Sequence, residues 1–497
     1  MTFRRRHRLA IAGSVAVLAA LAPAAATAAE PSPIAAAQAA VAALPAPYSN
    51  WNVTLGASTS EPGALTLSYD SPALGERTEN SVYLPDSYSP TGGAAPVMYY
   101  LHGTVVPSLD NPSLAPVTSY ESLLNMVGSG GGFTQTKLED FPSQAGRANF
   151  IVVAPDTDPS RSWCHTCMWT DGKPGALQAP PLTASTVPAE TVVMKEIIPL
   201  TEAIFNARTD RGGRGVIGFS MGGGAAEVLG FRHPDEFSYV GAISGPFDVV
   251  DDPYWNPWVE ANGYFRDQGY GTSLTDNVEW RNVNPKDLAG NWAGTGGHLM
   301  LSAGDACAPP TDAEGAADCT RYPALTNPAA TLTETQMRRS ADESVPQLAA
   351  AGVQAEQFRA SGIHGANNHR VYADVIVPQA NALFASTVPT PEKVNYKNAY
   401  QTFSAWGYTV SRSSTTPAFV TLTDARLDAG SFTVSAESPA QVTTPAAFTP
   451  GRTYRVGIAK PGSSPENSDI VADGAGRLTL QLDPSDGAVT VTVDTTA

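Results

Sequence analysis

A chain of 497 residues is too long for one compact module and suits a large domain with a smaller one, at roughly 150 residues per domain. Its 30 Lys and Arg against 47 Asp and Glu give a formal charge of −17, which disfavours a nucleic-acid or anionic-membrane partner. Hydrophobic residues at 42% and charged residues at 15% provide a real core and exclude wholesale disorder.

The first 28 residues read as an export leader. Arg4, Arg5, Arg6 and Arg8 precede an apolar stretch from Leu9 to Leu21, and Ala26-Thr27-Ala28 fits a small-residue cleavage site. The expected mature chain starts at Ala29, carries a charge of −21 and is secreted. No later window offers the roughly 18 consecutive apolar residues of a membrane span. Four cysteines, Cys164, Cys167, Cys307 and Cys319, then imply two disulfides, with nearest-neighbour pairing expected. The rival reading of Cys164-His165-Thr166-Cys167 as a redox or metal motif lacks a second ligand pair, and no metal is expected.

After an Ala/Pro-rich segment (29–59), β-type runs alternate with helical patterns. Strands are expected at Ala64–Tyr69, Asn80–Leu84, Val97–Leu101, Phe150–Ala154, Gly215–Gly218, Tyr239–Ser244, His298–Ser302 and Val353–Phe358. Helices are expected at Ala189–Arg208, Met221–Arg232, Gln336–Ala351 and Val371–Phe384. Unbroken apolar strands between helices indicate an α/β fold with a mainly parallel central sheet over residues 60–388. Beyond Ser386 the helix signal stops. Short β segments separated by Gly, Pro and Asp turns predict an antiparallel, Ig-like β-sandwich over 395–497.

The strongest chemical signal is Gly218-Phe219-Ser220-Met221-Gly222, a G-x-S-x-G between a strand and a helix. Strand, sharp turn and helix together describe a nucleophile elbow that exposes Ser220 Oγ at a helix N-terminus. A serine hydroxyl also needs a base and oxyanion donors. The elbow supplies the Met221 amide, and the turn after Val97–Leu101, at His102-Gly103-Thr104, offers the Thr104 amide, with His102 positioning that loop.

In this architecture the acid and then the histidine follow the serine. The strand ending in Gly304-Asp305 nominates Asp305 as the acid, with Asp312, Glu314 and Asp318 behind it. His364 in Gly362-Ile363-His364-Gly365 is the expected base and His369 the alternative. The remaining histidines, His7, His165, His233 and His298, read as leader, loop, helix-end and strand-start residues. A run of aromatic residues between Asp248 and Thr295 suggests either a wall over the serine or an insertion packed on itself; Trp163 and Trp169 are equally open.

Four stretches together resemble the esterase branch of the α/β-hydrolases, which includes esterase D-like enzymes, feruloyl esterases and the antigen 85 mycolyltransferases. They are Asn80 to Ser87 before Val97 to Gly103, the elbow GFSMGG, Arg232 to Phe237 running into VGAISG, and GIH at 362–364. The resemblance covers about residues 60 to 385. It implies Ser220 as nucleophile, His364 as base, the Thr104 and Met221 amides as oxyanion donors, and an acid that is Asp or Glu. The chain departs from the mycolyltransferases at Thr104-Val105, where an arginine would hold a sugar acceptor, and after His364, where a Trp-rich stretch is replaced by Gly365 to His369.

These features predict a secreted serine esterase acting on an ester substrate without a cofactor. The alternatives are an acyltransferase using the same acyl-enzyme, and a non-catalytic binding protein that contacts cell wall or polysaccharide through its C-terminal sandwich.

Overall fold

The computed structural model describes residues 32–59, 61–103, 139–157, 167–172, 188–261, 265, 269–307 and 313–495. The expected leader, the Thr104 amide, Asp312, Trp163, His165 and the Cys164–Cys167 pairing lie outside the described residues. Cys307 and Cys319 are disulfide-bonded as expected.

Among the described residues nine strands form the larger sheet: β1 (Thr54–Ala57), β2 (Leu65–Ser71), β3 (Glu76–Tyr83), β4 (Val97–Leu101), β5 (Ile151–Ala154), β6 (Arg214–Phe219), β7 (Tyr239–Ile243), β8 (His298–Gly304) and β9 (Glu356–Ala360). Their order is β1-β2-β3-β5-β4-β6-β7-β8-β9. The first three strands run antiparallel, through the β3–β5 pair, and β5 onward is parallel. β1 was not anticipated from the sequence, since the apolar alternation of its four residues is too short to read.

Alternation along the parallel strands feeds two cores, one on each face. Val97, Tyr99 and Leu101 of β4, with Val216, Val240, Leu299 and Leu301, face one core. Met98 and Tyr100, with Ile217, Tyr239, Ile243 and Met300, face the other. Burial on both faces explains why these strands read as unbroken apolar runs. Among the described residues the first face is covered by three helical segments. They are Ala189–Ile204, in which a π segment (Val192–Ile197) separates two α-helical pieces; the elbow helix Met221–Arg232; and the long helix Pro328–Ala350. The second is covered by the C-terminal helix of this unit, which contains Val377–Ala385.

The tail forms two antiparallel sheets around a core of its own, as an alternation of buried and exposed positions requires. Six strands pair in the order β10-β13-β14-β19-β16-β17: β10 (Lys393–Asn398), β13 (Val420–Arg426), β14 (Ser431–Ser435), β16 (Thr453–Ala459), β17 (Glu466–Val471) and β19 (Val489–Asp494). Four more, β11 (Thr402–Ala405), β12 (Tyr408–Arg412), β15 (Ala440–Thr443) and β18 (Thr479–Leu482), make the second sheet. The first strand begins at Lys393, two residues before the expected start.

The sandwich is docked on the α/β part through buried polar contacts centred on the end of the elbow helix. Arg232, its last residue, is 2% exposed; its Nε donates to Glu190 Oε1 at 3.1 Å and its Nη1 to the Asn282 carbonyl at 3.1 Å. The guanidinium lies 4.1 Å from the Tyr400 ring centroid. Tyr396 Oη donates to the Arg232 carbonyl at 2.7 Å, the Trp406 amide to Asp235 Oδ2 at 2.6 Å, and the Ala399 amide to Asn282 Oδ1 at 2.8 Å. Burial alone would raise the Glu190 pKa, but the Arg232 charge and the His233 imidazole hold it down at about 2, so the carboxylate is ionised at any working pH.

Replacing Arg232 with methionine leaves that carboxylate buried without its main cation, which should cost about 3–5 kcal/mol. Urea unfolding of the Arg232→Met variant is expected to show this loss, and the double variant with Glu190→Gln to recover a large part of it. A single variant within about 1 kcal/mol of the parent would contradict the account.

Candidate active site

The elbow is built by close backbone approach. A Cβ at Gly222 would overlap the carbonyl oxygens of Leu101 and His102, and one at Gly218 would overlap the Gly222 carbonyl, so the helix can abut β4 only without side chains there. Ser220 pays for the turn with φ 57° and ψ −121°, a region disfavoured for a residue with a Cβ. Its amide donates to the Ile243 carbonyl at 2.8 Å, which pins the strained residue to β7. Met221 is the first residue of the helix, so its N–H has no intrahelical acceptor.

His364 meets this serine. Its Nε2 lies 2.9 Å from Ser220 Oγ, and its ring tilts against Phe219 at a centroid distance of 4.6 Å. The Nδ1 lies 2.7 Å from Glu334 Oε2. A carboxylate at Nδ1 keeps the proton on that nitrogen and leaves Nε2 as the acceptor of the serine proton. Glu334 is fully buried, and its Oε1 accepts Ser244 Oγ–H at 2.7 Å and a short hydrogen bond from the Gly304 amide. Serine, histidine and carboxylate thus form one connected line with every end anchored.

The carboxylate in that line is a correction to the sequence reading. Asp305, expected there, turns away: its Oδ1 accepts the amides of Cys307 (2.8 Å) and Gly362 (3.2 Å), and its Oδ2 accepts Ser361 Oγ–H at 2.9 Å. The Asp305 amide extends the β8–β9 ladder by donating to the Ala360 carbonyl at 2.9 Å, which aims the side chain at the root of the histidine loop instead of the ring. Glu314 and Asp318 pair with Arg370 at 3.2 and 3.7 Å. His369 is turned toward Asp318, 4.0 Å away, and is not the histidine at Ser220.

Glu334 falls before the helix expected over Gln336–Ala351, whereas the helix begins at Pro328. The signal was present. Ala330, Glu334, Met337, Ala341, Ser344 and Leu348 are all buried at spacings of four and three, so Glu334 lies on the inward stripe of a polar-looking helix. An acid on such a stripe is unusual unless it is paired.

The neighbouring β4 turn is held from the side. Trp169 is fully buried, donates its indole N–H to the His102 carbonyl at 3.1 Å and packs edge-on against the His102 ring at 4.9 Å. The aromatic insertion packs on itself: Phe265 lies 4.6 Å from Trp280 and 5.8 Å from Tyr270, and Trp255, Tyr270, Trp280 and Trp292 join the larger core of the α/β part. No helix among the described residues is long and apolar enough to cross a membrane.

The sheet order and the elbow between β6 and its helix are those of the α/β-hydrolase fold. Residues 71–305 match the family described as "Putative esterase", a little under half of the chain. The match ends at Asp305, before Glu334 and His364. A segment of 79 residues, 15% of this chain, is 33% identical to the diacylglycerol acyltransferase/mycolyltransferase Ag85B of Mycolicibacterium smegmatis, and spans only 24% of that relative. Among solved structures, an S-formylglutathione hydrolase from Agrobacterium tumefaciens is 15% identical at a TM-score of 0.40, covering 67% of this chain and 99% of its own. MPT51 of Mycobacterium tuberculosis is also 15% identical, at a TM-score of 0.39, covering 64% and 96%.

A second buried carboxyl lies under the same loops. Asn368, four residues past His364, donates its Nδ2 to Glu139 Oε1 at 2.7 Å, beside the Tyr100 hydroxyl. Burial pushes the Glu139 pKa up to about 8, against the lowering by Tyr100 and Asn368. The folded-state value exceeds the ordinary 4.5, so the group's contribution to stability is fully present below pH 4.5 and is lost as pH rises through about 8. Glu139→Gln keeps a neutral acceptor for Asn368. Its melting temperature should therefore rise relative to the parent between about pH 5 and about pH 9, and a difference independent of pH would show that Glu139 does not titrate there.

Proposed function

We propose that the protein is a secreted serine esterase that hydrolyses carboxylic esters through an acyl-enzyme on Ser220. The observation that carries this reading is the unbroken line from Ser220 Oγ through His364 (2.9 Å) to Glu334 (2.7 Å). In the proposed mechanism Ser220 Oγ attacks the ester carbonyl carbon and passes its proton to His364 Nε2. The Met221 amide, with that of Thr104, holds the oxyanion. Collapse of the tetrahedral adduct expels the alcohol, which takes the proton from Nε2. Water then attacks the acyl-enzyme with His364 again as base, returning the acid product and free Ser220. Glu334 fixes the imidazole and stabilises its cation.

Export is supported by the leader pattern at residues 1–28 and by the Cys307–Cys319 disulfide, a bond that persists in oxidising compartments. The acyltransferase reading shares every step up to the acyl-enzyme and differs in the acceptor; the segment similar to an acyltransferase is the observation in its favour.

Hydrolysis of a p-nitrophenyl ester series from acetate to palmitate tests the reading. Ser220→Ala and His364→Ala should lose about 10⁴-fold or more in kcat, Glu334→Gln about 10⁴-fold, and His369→Ala little. Chromatography of the products with a short alcohol present separates the two readings, since transfer gives a new ester and hydrolysis the free acid. A parent protein that cleaves none of the series, or a Ser220→Ala variant that cleaves it equally well, would sink the esterase reading.

A further inference from the structure

The carboxylate at the end of β8 is not idle. We propose that Asp305 is a positioning residue that clamps the root of the His364 loop and so sets the imidazole against Ser220. This rests on the reading of Ser220, His364 and Glu334 as the catalytic line.

The loop from Ser361 to Gly365 follows β9, the edge strand of the sheet, and must bring His364 back over the elbow. An edge strand gives such a loop support from one side only. Here the support is built by one side chain. Asp305 accepts Ser361 Oγ–H at 2.9 Å and the Gly362 amide at 3.2 Å, the two residues at which the loop leaves the strand. Its backbone runs in register beside them: the Asp305 amide donates to Ala360 at 2.9 Å and the Ala306 amide to Gly362 at 3.0 Å. Gly362, at φ 147°, makes the bend that only glycine adopts readily.

The other side of the clamp is equally fixed. Asp305 Oδ1 also accepts the Cys307 amide at 2.8 Å, and Cys307 is tied by its disulfide to Cys319 in the helix Ala313–Arg321. Ala306 and Cys307 both have positive φ, 55° and 64°, a tight turn that keeps the amide pointed at the carboxylate. Asp305 is 9% exposed, so water competes weakly for these bonds. Two residues beyond Gly362, the His364 amide reaches the Ala330 carbonyl at 3.3 Å on the helix that also carries Glu334. The loop is therefore held at its root by Asp305 and at its tip by the helix of the carboxylate partner, and loss of the root lets the ring drift from both.

The clamp and a catalytic acid predict opposite responses to amide substitution. Asn at 305 keeps an oxygen for the Cys307 and Gly362 amides, and its Nδ2 can donate to Ser361 Oγ. Asp305→Asn should therefore keep kcat within about tenfold of the parent, whereas Asp305→Ala should lower kcat about 10²-fold with KM within about twofold. Glu334→Gln should lower it about 10⁴-fold. The direct readout is the second-order rate at which an alkyl fluorophosphonate phosphonylates Ser220. Fluoride leaves as the P–O bond forms and His364 takes the proton, so this rate reports the Ser220–His364 geometry without needing the natural ester. It should follow the same order, with Ser361→Ala between Asn and Ala at position 305.

An Asp305→Asn variant as slow as Glu334→Gln would overturn the proposal in favour of Asp305 as the acid. Parental labelling by Asp305→Ala, or by Ser361→Ala where the alanine at 305 does not fold, would overturn it as well. A parent protein that is not labelled at Ser220 removes the catalytic line and the clamp with it. A parent that is labelled but cleaves no ester in the series removes only the substrate reading and leaves the order of labelling rates to decide the clamp.

Discussion

The carboxylate of Glu334 has no exposure to solvent, and a charge in that position must be met by protein donors or stay neutral. It is met from three directions: by His364 Nδ1, by Ser244 Oγ at the end of β7 and by the Gly304 amide at the end of β8. Each donor comes from a different element, so satisfying one buried charge fixes the relative placement of two strand ends, a long helix and the histidine loop. The cost of leaving any of these bonds unmade is what keeps the site assembled in the free protein.

The elbow imposes the complementary constraint from the other side of the histidine. Ser220 holds a strained backbone because β6, the helix and the end of β4 close on it, with Gly218 and Gly222 removing the side chains that would prevent contact. Strain of this kind persists only where the surroundings over-determine it. The surroundings here extend to the far end of the elbow helix, where Arg232 is sealed between Glu190 and Tyr400. The sandwich is thus packed onto the helix that begins at Ser220, and its Tyr396, Ala399 and Trp406 make hydrogen bonds with residues of the α/β part.

Much of this was legible along the chain. The parallel strands announced themselves by unbroken apolar runs, because a strand covered on both faces leaves no polar alternation to mistake. The elbow at Ser220 and the histidine that lies against it were legible for a different reason: the elbow is a local structure, written in five consecutive residues, and only His364 and His369 follow β8. The strand β1 was not seen, because it is four residues long. The aromatic insertion was open to two readings, and mutual packing of its rings into the core settled it.

The sequence by itself determined the α/β architecture, the β-rich tail, the elbow and the histidine, because each is encoded by residues adjacent in the chain or by a repeating burial pattern. Only the tertiary structure decided which carboxylate faces the imidazole. Asp305 stands where a strand end should deliver the acid, yet the extended β8–β9 ladder turns it to the loop root, and a helix from elsewhere brings Glu334 to the ring instead. That choice depends on the packing of Pro328–Ala350 against β8, a contact between segments whose separate sequences carry no mark of each other.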